Sequence, residues 1–152
     1  MEIFAKDIMV KDFDTVNSKA PINNAVQKIL HGRLRESGYK TESIMVIDEF
    51  NKLTGVISIY DVLFHFRPGF LNYGLESIDV WKGRLKPHYE EFETLTVEQV
   101  MHSPVISISP DDHLMVVLDM MVKKRCRRLP VVENDIIRGI VYQKEIFKAL
   151  FS

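Results

Sequence analysis

The sequence predicts a mixed α/β (α+β) fold: two copies of one β-α-β-β-α unit, packed as a pseudo-two-fold pair and joined by an ordered, partly helical connector. Three observations carry this. A glycine-led passage occurs twice, as Gly55-Val56-Ile57-Ser58-Ile59-Tyr60-Asp61-Val62-Leu63 and as Gly139-Ile140-Val141-Tyr142-Gln143-Lys144-Glu145-Ile146-Phe147. An apolar, β-rich run precedes each copy, Ile44 to Ile47 and Leu129 to Val132. Upstream of each run, Ile22, Ala25, Val26 and Ile29 align with Leu114, Val117, Leu118 and Met121. Each set has the i, i+3, i+4, i+7 spacing of one apolar helix face.

The elements follow in the same order in both units. Asp7-Ile8-Met9 aligns with Gln99-Val100-Met101, and Val16 then falls on Ile108, where the first strand of each unit is expected. The amphipathic helix comes next. Asn17 or Ser18 suits its cap in the first unit, and Ser109-Pro110-Asp111-Asp112 reads as a capped start in the second. Two strands follow, separated by short polar turns at Asp48 to Lys52 and Glu133 to Asp135, which argues for hairpins. Closing helices are expected over Asp61 to Phe66 and Lys144 to Phe151. The first unit is longer after its first helix, from Gly32 to Thr41. The predicted boundaries are 4–66 for the first unit, 67–95 for the connector and 96–151 for the second. A unit of about 55 residues has a thin core, so the two are expected to pack together, leaving ligand-sized clefts between them.

The connector is rich in aromatics: Phe70, Tyr73, Trp81, Tyr89 and Phe92. A flexible linker is poor in such residues. Leu71, Leu75, Ile78 and Leu85 suit one helix face, with breaks at Gly83 and Pro87. Such a segment either covers exposed core or offers a docking surface.

Bulk properties narrow the function class. The 152 residues are 46% apolar and 27% charged with a net charge of −1, so there is no broad electrostatic attraction to nucleic acid or an anionic membrane. Cys126 is the single cysteine, which rules out an internal disulfide. Met1 leads directly into Glu2 and Asp7 without the apolar core of a signal peptide, and no apolar run approaches a bilayer span. A cytoplasmic protein that binds neither nucleic acid nor membrane is the expectation. His31, His65, His88, His102 and His113 are scattered, and no metal-ligand spacing or catalytic constellation emerges. The expectation is therefore a protein without catalytic residues, without a metal site and without a required cofactor.

The Gly-apolar-apolar-Ser-x-x-Asp motif at Gly55 to Asp61, together with Arg128-Leu129-Pro130-Val131-Val132 and Gly139-Ile140-Val141, resembles a tandem pair of CBS domains, the arrangement called a Bateman module. The resemblance covers nearly all of the chain outside the connector. It implies a regulatory module that binds an adenine nucleotide (AMP, ADP or ATP) or a related adenosyl ligand such as S-adenosylmethionine between the repeats. It also implies a homodimer and an effector protein that reads the ligand state. By resemblance, Asp61 holds ribose, Ser58 touches phosphate, and Arg127 and Arg128 reach phosphate from the other repeat. The chemistry is sound: a carboxylate accepts from both ribose hydroxyls, and arginine grips phosphate with paired hydrogen bonds. Ser58 and Asp61 equally suit a helix cap; within the Lys123 to Arg128 run, Arg128 equally suits a solvated helix end, and Lys123 and Lys124 suit it better than a ligand. Tyr142 and Glu145 stand where Ser58 and Asp61 stand in the first copy, which makes the second half-site degenerate and favours one ligand per chain. The alternative reading is a module for dimerisation or partner docking that needs no ligand.

Overall fold

A computed structural model of the chain describes residues 2–32, 34–68 and 82–152. Helix α1 (Ala5–Ile8) is followed by β1 (Thr15–Asn17), α2 (Ile22–Leu30), β2 (Ser43–Ile47), β3 (Leu53–Ser58) and α3 (Ile59–Phe66). After the connector helix α4 (Leu85–Phe92) come α5 (Val97–Val100), α6 (Leu114–Lys124), β4 (Arg128–Glu133), β5 (Ile136–Tyr142) and α7 (Gln143–Phe151). The order is the predicted one except that, among the described residues, the second repeat lacks its first strand, and a short helix opens each repeat.

In the first repeat β1 runs parallel to β2, and β2 pairs antiparallel with β3. In the second, β4 and β5 form the matching hairpin. The expected strand at Ile108 is reduced to a single parallel bridge to Val131. Asn134 and Asp135 turn the second hairpin with φ of 53° and 67°. Both lie in the left-handed region that a two-residue hairpin turn requires and that Asn and Asp tolerate. In the first hairpin the carboxylate of Asp48 accepts from the amides of Phe50 and Lys52 at 2.8 and 2.9 Å, closing a longer turn.

Each repeat's core is completed by the opening segment of the other. Ala5, with Ile3, Ile8 and Met9, packs into the core built from Leu114, Val117, Met121, Leu129, Val131, Val141 and Ile146. Val97 and Val100, with Leu95 and Met101, pack into the core of Val16, Ile22, Ala25, Ile44, Val46 and Ile57. Backbone bonds fix the exchange: Val10 and Ile140 bond reciprocally at 2.8 and 2.9 Å, and so do Val56 and His102 at 3.0 and 2.7 Å. A third cluster of Met45, Ile137, Ile140 and Tyr142 lies between the two halves.

The expected helix caps are displaced. Helix α2 begins after Pro21 and α6 after His113, whose Nδ1 accepts from the amide of Met115 at 3.1 Å. Ser109 and Asp112 instead close a separate turn, with the amide of Ser109 donating to the Asp112 carboxylate at 2.8 Å. Asn17 closes a similar local turn onto the amide of Lys19. Short polar side chains bond locally in turns as readily as at helix starts. The exchanged segments then supply acceptors to the helix starts: the amide of Ile22 donates to Leu95 and that of Leu114 to Ile3.

Pro87 does not break the connector. It occupies the first turn of α4, where an amide has no intrahelical partner to lose. Phe92 is buried in the first core and meets Phe66 edge-on, with ring centroids 5.2 Å apart. Leu85 and Tyr89 are exposed. Phe70, Leu71, Tyr73, Leu75, Ile78 and Trp81 lie outside the described residues.

Candidate functional site

The site is assembled where the starts of β2 and β4 meet across the pseudo-two-fold axis. Register pairs Ser43 with Ser58 in one hairpin and Arg128 with Tyr142 in the other. Arg128, half-buried, crosses between them. Its Nη1 donates to the Ser43 hydroxyl at 3.0 Å, its Nη2 lies 3.7 Å from the Glu42 carboxylate, and its guanidinium sits 5.5 Å from the centre of the Tyr142 ring. This bridge divides the space between the repeats into two open clefts, both lined by Glu42, Arg127 and Arg128.

The first cleft, of 470 Å³, is lined by Glu42, Ser43, Val56, Ser58, Ile59, Tyr60, Arg127 and Arg128. Three of the four residues predicted for a nucleotide site, Ser58, Arg127 and Arg128, therefore share one space. Arg127 is exposed at the rim. The fourth, Asp61, is bound to Ser58. Ser58 caps α3 by accepting from the Asp61 amide at 3.3 Å, and Asp61 Oδ2 accepts from the Ser58 amide and hydroxyl, each at 2.9 Å. The capping role open in the sequence is thus realised. It leaves the second carboxylate oxygen with acceptor capacity for further donors.

Val56 and Arg128 also line an adjoining 270 Å³ pocket with Met45, His102, Pro104, Val105, Ile106, Lys124, Cys126 and Pro130. Its walls are largely apolar, with Lys124 and Arg128 as its cations. Together the two spaces grade from apolar to cationic. Sequence reasoning missed Val56, Val105 and Ile106 as lining residues. They are ordinary aliphatics, and only the approach of the 102–106 segment to the edge of β3 gives them this position.

The second cleft, of 440 Å³, is lined by Leu34, Gly38, Tyr39, Lys40, Glu42, Arg127, Arg128, Tyr142, Gln143 and Lys144. Tyr142 and Glu145, predicted to form a degenerate half-site, are both engaged by Tyr39. The Tyr39 and Tyr142 rings stack with centroids 3.7 Å apart and planes 10° apart, and the Tyr39 hydroxyl donates to Glu145 Oε1. Burial, then the Glu145 carboxylate, push the Tyr39 hydroxyl well above its ordinary range. Burial also raises Tyr142, against the opposing pull of Arg128 and Arg35.

Among the described residues no group of three or more His, Cys, Asp or Glu side chains is placed to hold a metal ion, and no helix is long and apolar enough to cross a membrane.

Comparison with known proteins places this architecture. The family model described as CBS domain matches residues 5–67 and again 97–152. A CBS domain-containing protein of unknown function from Bacillus anthracis is 26% identical, with a TM-score of 0.73 over 97% of this chain and 92% of that one. The protein CBSX2, solved in complex with AMP, is 19% identical, with a TM-score of 0.66 over 97% of this chain and 95% of that one. An uncharacterized 33.4 kDa protein from Thermofilum pendens is 40% identical over 50 residues, which is 33% of this chain and 17% of the relative's length.

Proposed function

Because this chain belongs to the CBS-domain family, we propose that it is a regulatory, ligand-sensing pair that takes an adenine nucleotide or related adenosyl ligand in the cleft beside Ser58. The observation that carries this reading is the convergence of Ser58, from one repeat, with Arg127 and Arg128, from the other, on one open cleft. Its gradient suits the ligand class. The base lies against Val56, Val105 and Ile106, the ribose hydroxyls donate to Asp61, and the phosphates meet Ser58 and the two arginines. Charge-assisted bonds from arginine are the strong ones available to a phosphate. That CBSX2 was solved with AMP supports the ligand class.

No bond is made or broken in this scheme, and the chain acts as a regulator rather than an enzyme. A phosphate competes with Glu42 and Ser43 for Arg128, the residue that bridges the repeats, so occupancy and lobe arrangement are linked. A ligand shifts that arrangement only by its difference in affinity for the two states. The output is then read by a separate effector protein, in the cytoplasm, with the chain working as a homodimer.

Calorimetry and thermal shift with AMP, ADP, ATP and S-adenosylmethionine test the site. At a hundred times its Kd, a ligand stabilises the fold by about 2.7 kcal/mol. Asp61→Ala is expected to abolish binding while lowering stability by about 1 kcal/mol through loss of the cap. Calorimetry on the folded variant separates the two effects. Binding as tight as in the parent chain would show that the site is misplaced.

A second reading, docking without ligand, is favoured by the apolar faces of α3 and α7, where Ile59, Leu63, Phe64, Phe147 and Phe151 are exposed. A parent chain that answers none of the four compounds would establish it over the first.

A further inference from the structure

The second cleft is not merely degenerate, because its ring-sized slot is filled by the chain itself. The alignment that sets Asp7 against Gln99 sets Phe13 against Val105. Val105 lines the apolar pocket beside the first cleft. Phe13 and Tyr39 instead pack with Tyr142 in the cluster between the repeats. Tyr39 lies flat on Tyr142, and its hydroxyl meets Glu145, the counterpart of Asp61. A planar ring laid on Tyr142, the counterpart of Ser58, with its hydroxyl bonded to the helix-start carboxylate, takes up the space and the acceptor that a ribose-phosphate would need there. Beyond the ring, the cleft stays open and cationic, with Lys40, Lys144, Arg127 and Arg128 on its walls.

Tyr39 is carried by the segment that lengthens the first repeat alone. Arg35 anchors that segment, donating to Asp14 at 3.1 Å and to Thr41 at 2.9 Å, while Thr41 donates to Asp14. We propose that Tyr39 is a built-in occupant of a second nucleotide half-site, so that a ligand enters there only when the 34–41 segment swings away. The nucleotide class rests on the function proposed for the first cleft; the self-occupancy rests on the stacking and the Glu145 bond.

Calorimetric stoichiometry with ATP separates the two claims. At ATP concentrations that saturate the first cleft, the parent chain is expected to bind one ATP, Tyr39→Ala two, and Tyr39→Phe one, because phenylalanine keeps the stacked ring. A parent that binds none with a Tyr39→Ala variant that binds one leaves self-occupancy standing and removes the first-cleft reading. One ATP in both overturns self-occupancy and leaves the first cleft intact, and none in either overturns both. Circular dichroism establishes that the variants are folded. A measurement on the parent chain needs no variant: amide hydrogen exchange over 34–41 should quicken as ATP is raised past saturation of the first cleft. Exchange that stays slow overturns the proposal.

Discussion

At Ser58 and Asp61 one pair of side chains is suited to two tasks. Their reciprocal bonds satisfy amides that the start of α3 would otherwise leave without partners. The same bonds fix the Ser58 hydroxyl, which lines the cleft, and the Asp61 carboxylate behind it, so ligand contacts with this pair would require no fresh ordering of either side chain. At Tyr39 and Tyr142 the consequence is a pH dependence. Both hydroxyls are held above the ordinary value of 10.0, chiefly by burial. The folded chain therefore retains two phenolic protons that the unfolded chain begins to release near pH 10. The associated stability is complete below that pH and is lost as pH climbs toward the folded-state values. Melting temperature is expected to fall above pH 10, and less steeply in Tyr39→Phe, which has one phenol fewer to titrate. Equal slopes in the two proteins would show that Tyr39 is not held in this way.

Among the elements, α3 and α7 occupy matching positions and leave matching faces uncovered. A groove of 390 Å³ between α2 and α3 is lined by Val26, Ile29, Leu30, Ile59, Val62 and Leu63. Another of 390 Å³ between α6 and α7 includes Leu118, Met121, Val122, Ile146, Phe147 and Leu150. Contiguous exposed apolar faces mark interaction surfaces in soluble proteins. The homodimer proposed above would cover both at once by pairing one chain's grooves with its partner's. Leu63→Glu and Phe147→Glu, each burying a carboxylate in that contact, are expected to convert the dimer to monomer in sedimentation equilibrium. A parent chain that is already monomeric, or variants that still dimerise, would remove this arrangement. The amphipathic faces of α2 and α6 were plain from spacing alone. Their first residues were not, because the acceptors for Ile22 and Leu114 come from Leu95 and Ile3, far away in the chain.

Over the whole molecule, the exchanged segments make the two repeats interdependent. Gly55 lies against Met101 and Gly139 against Met9. An added Cβ would stand 2.4 Å from the Met101 sulfur at the first and 2.8 Å from the Met9 sulfur at the second. The glycines that announce the repeat are thus also the places where each strand accepts the other repeat's segment. Deleting residues 1–10 would remove Ala5, Ile8 and Met9 from the second core and the reciprocal Val10–Ile140 bonds. Burying one large apolar side chain is worth about 1.5–3 kcal/mol, and a domain's total stability is about 5–15 kcal/mol. The deletion is therefore expected to abolish a cooperative melt in calorimetry. A variant that still melts within a few degrees of the parent would show that the repeats are self-sufficient.

The sequence by itself determined the duplication, the order of elements within each repeat, the family resemblance, and the asymmetry between Ser58 with Asp61 and Tyr142 with Glu145. Those properties reside in local periodicity and in comparing one half of the chain with the other. Only the tertiary structure decided that the opening segments change places and that Arg128 crosses to Ser43. It likewise put Val105 and Ile106 in the pocket beside the first cleft and stacked Tyr39 on Tyr142 at the second. Each of these joins residues distant in sequence. No hydrophobic period or turn signal encodes such a pairing, because it is set by how two thin cores bury each other's edges. Tyr39 shows the difference plainly: it lies in the segment that lengthens the first repeat, and only the closed fold stacks it on Tyr142 and bonds it to Glu145, 106 residues away in the chain.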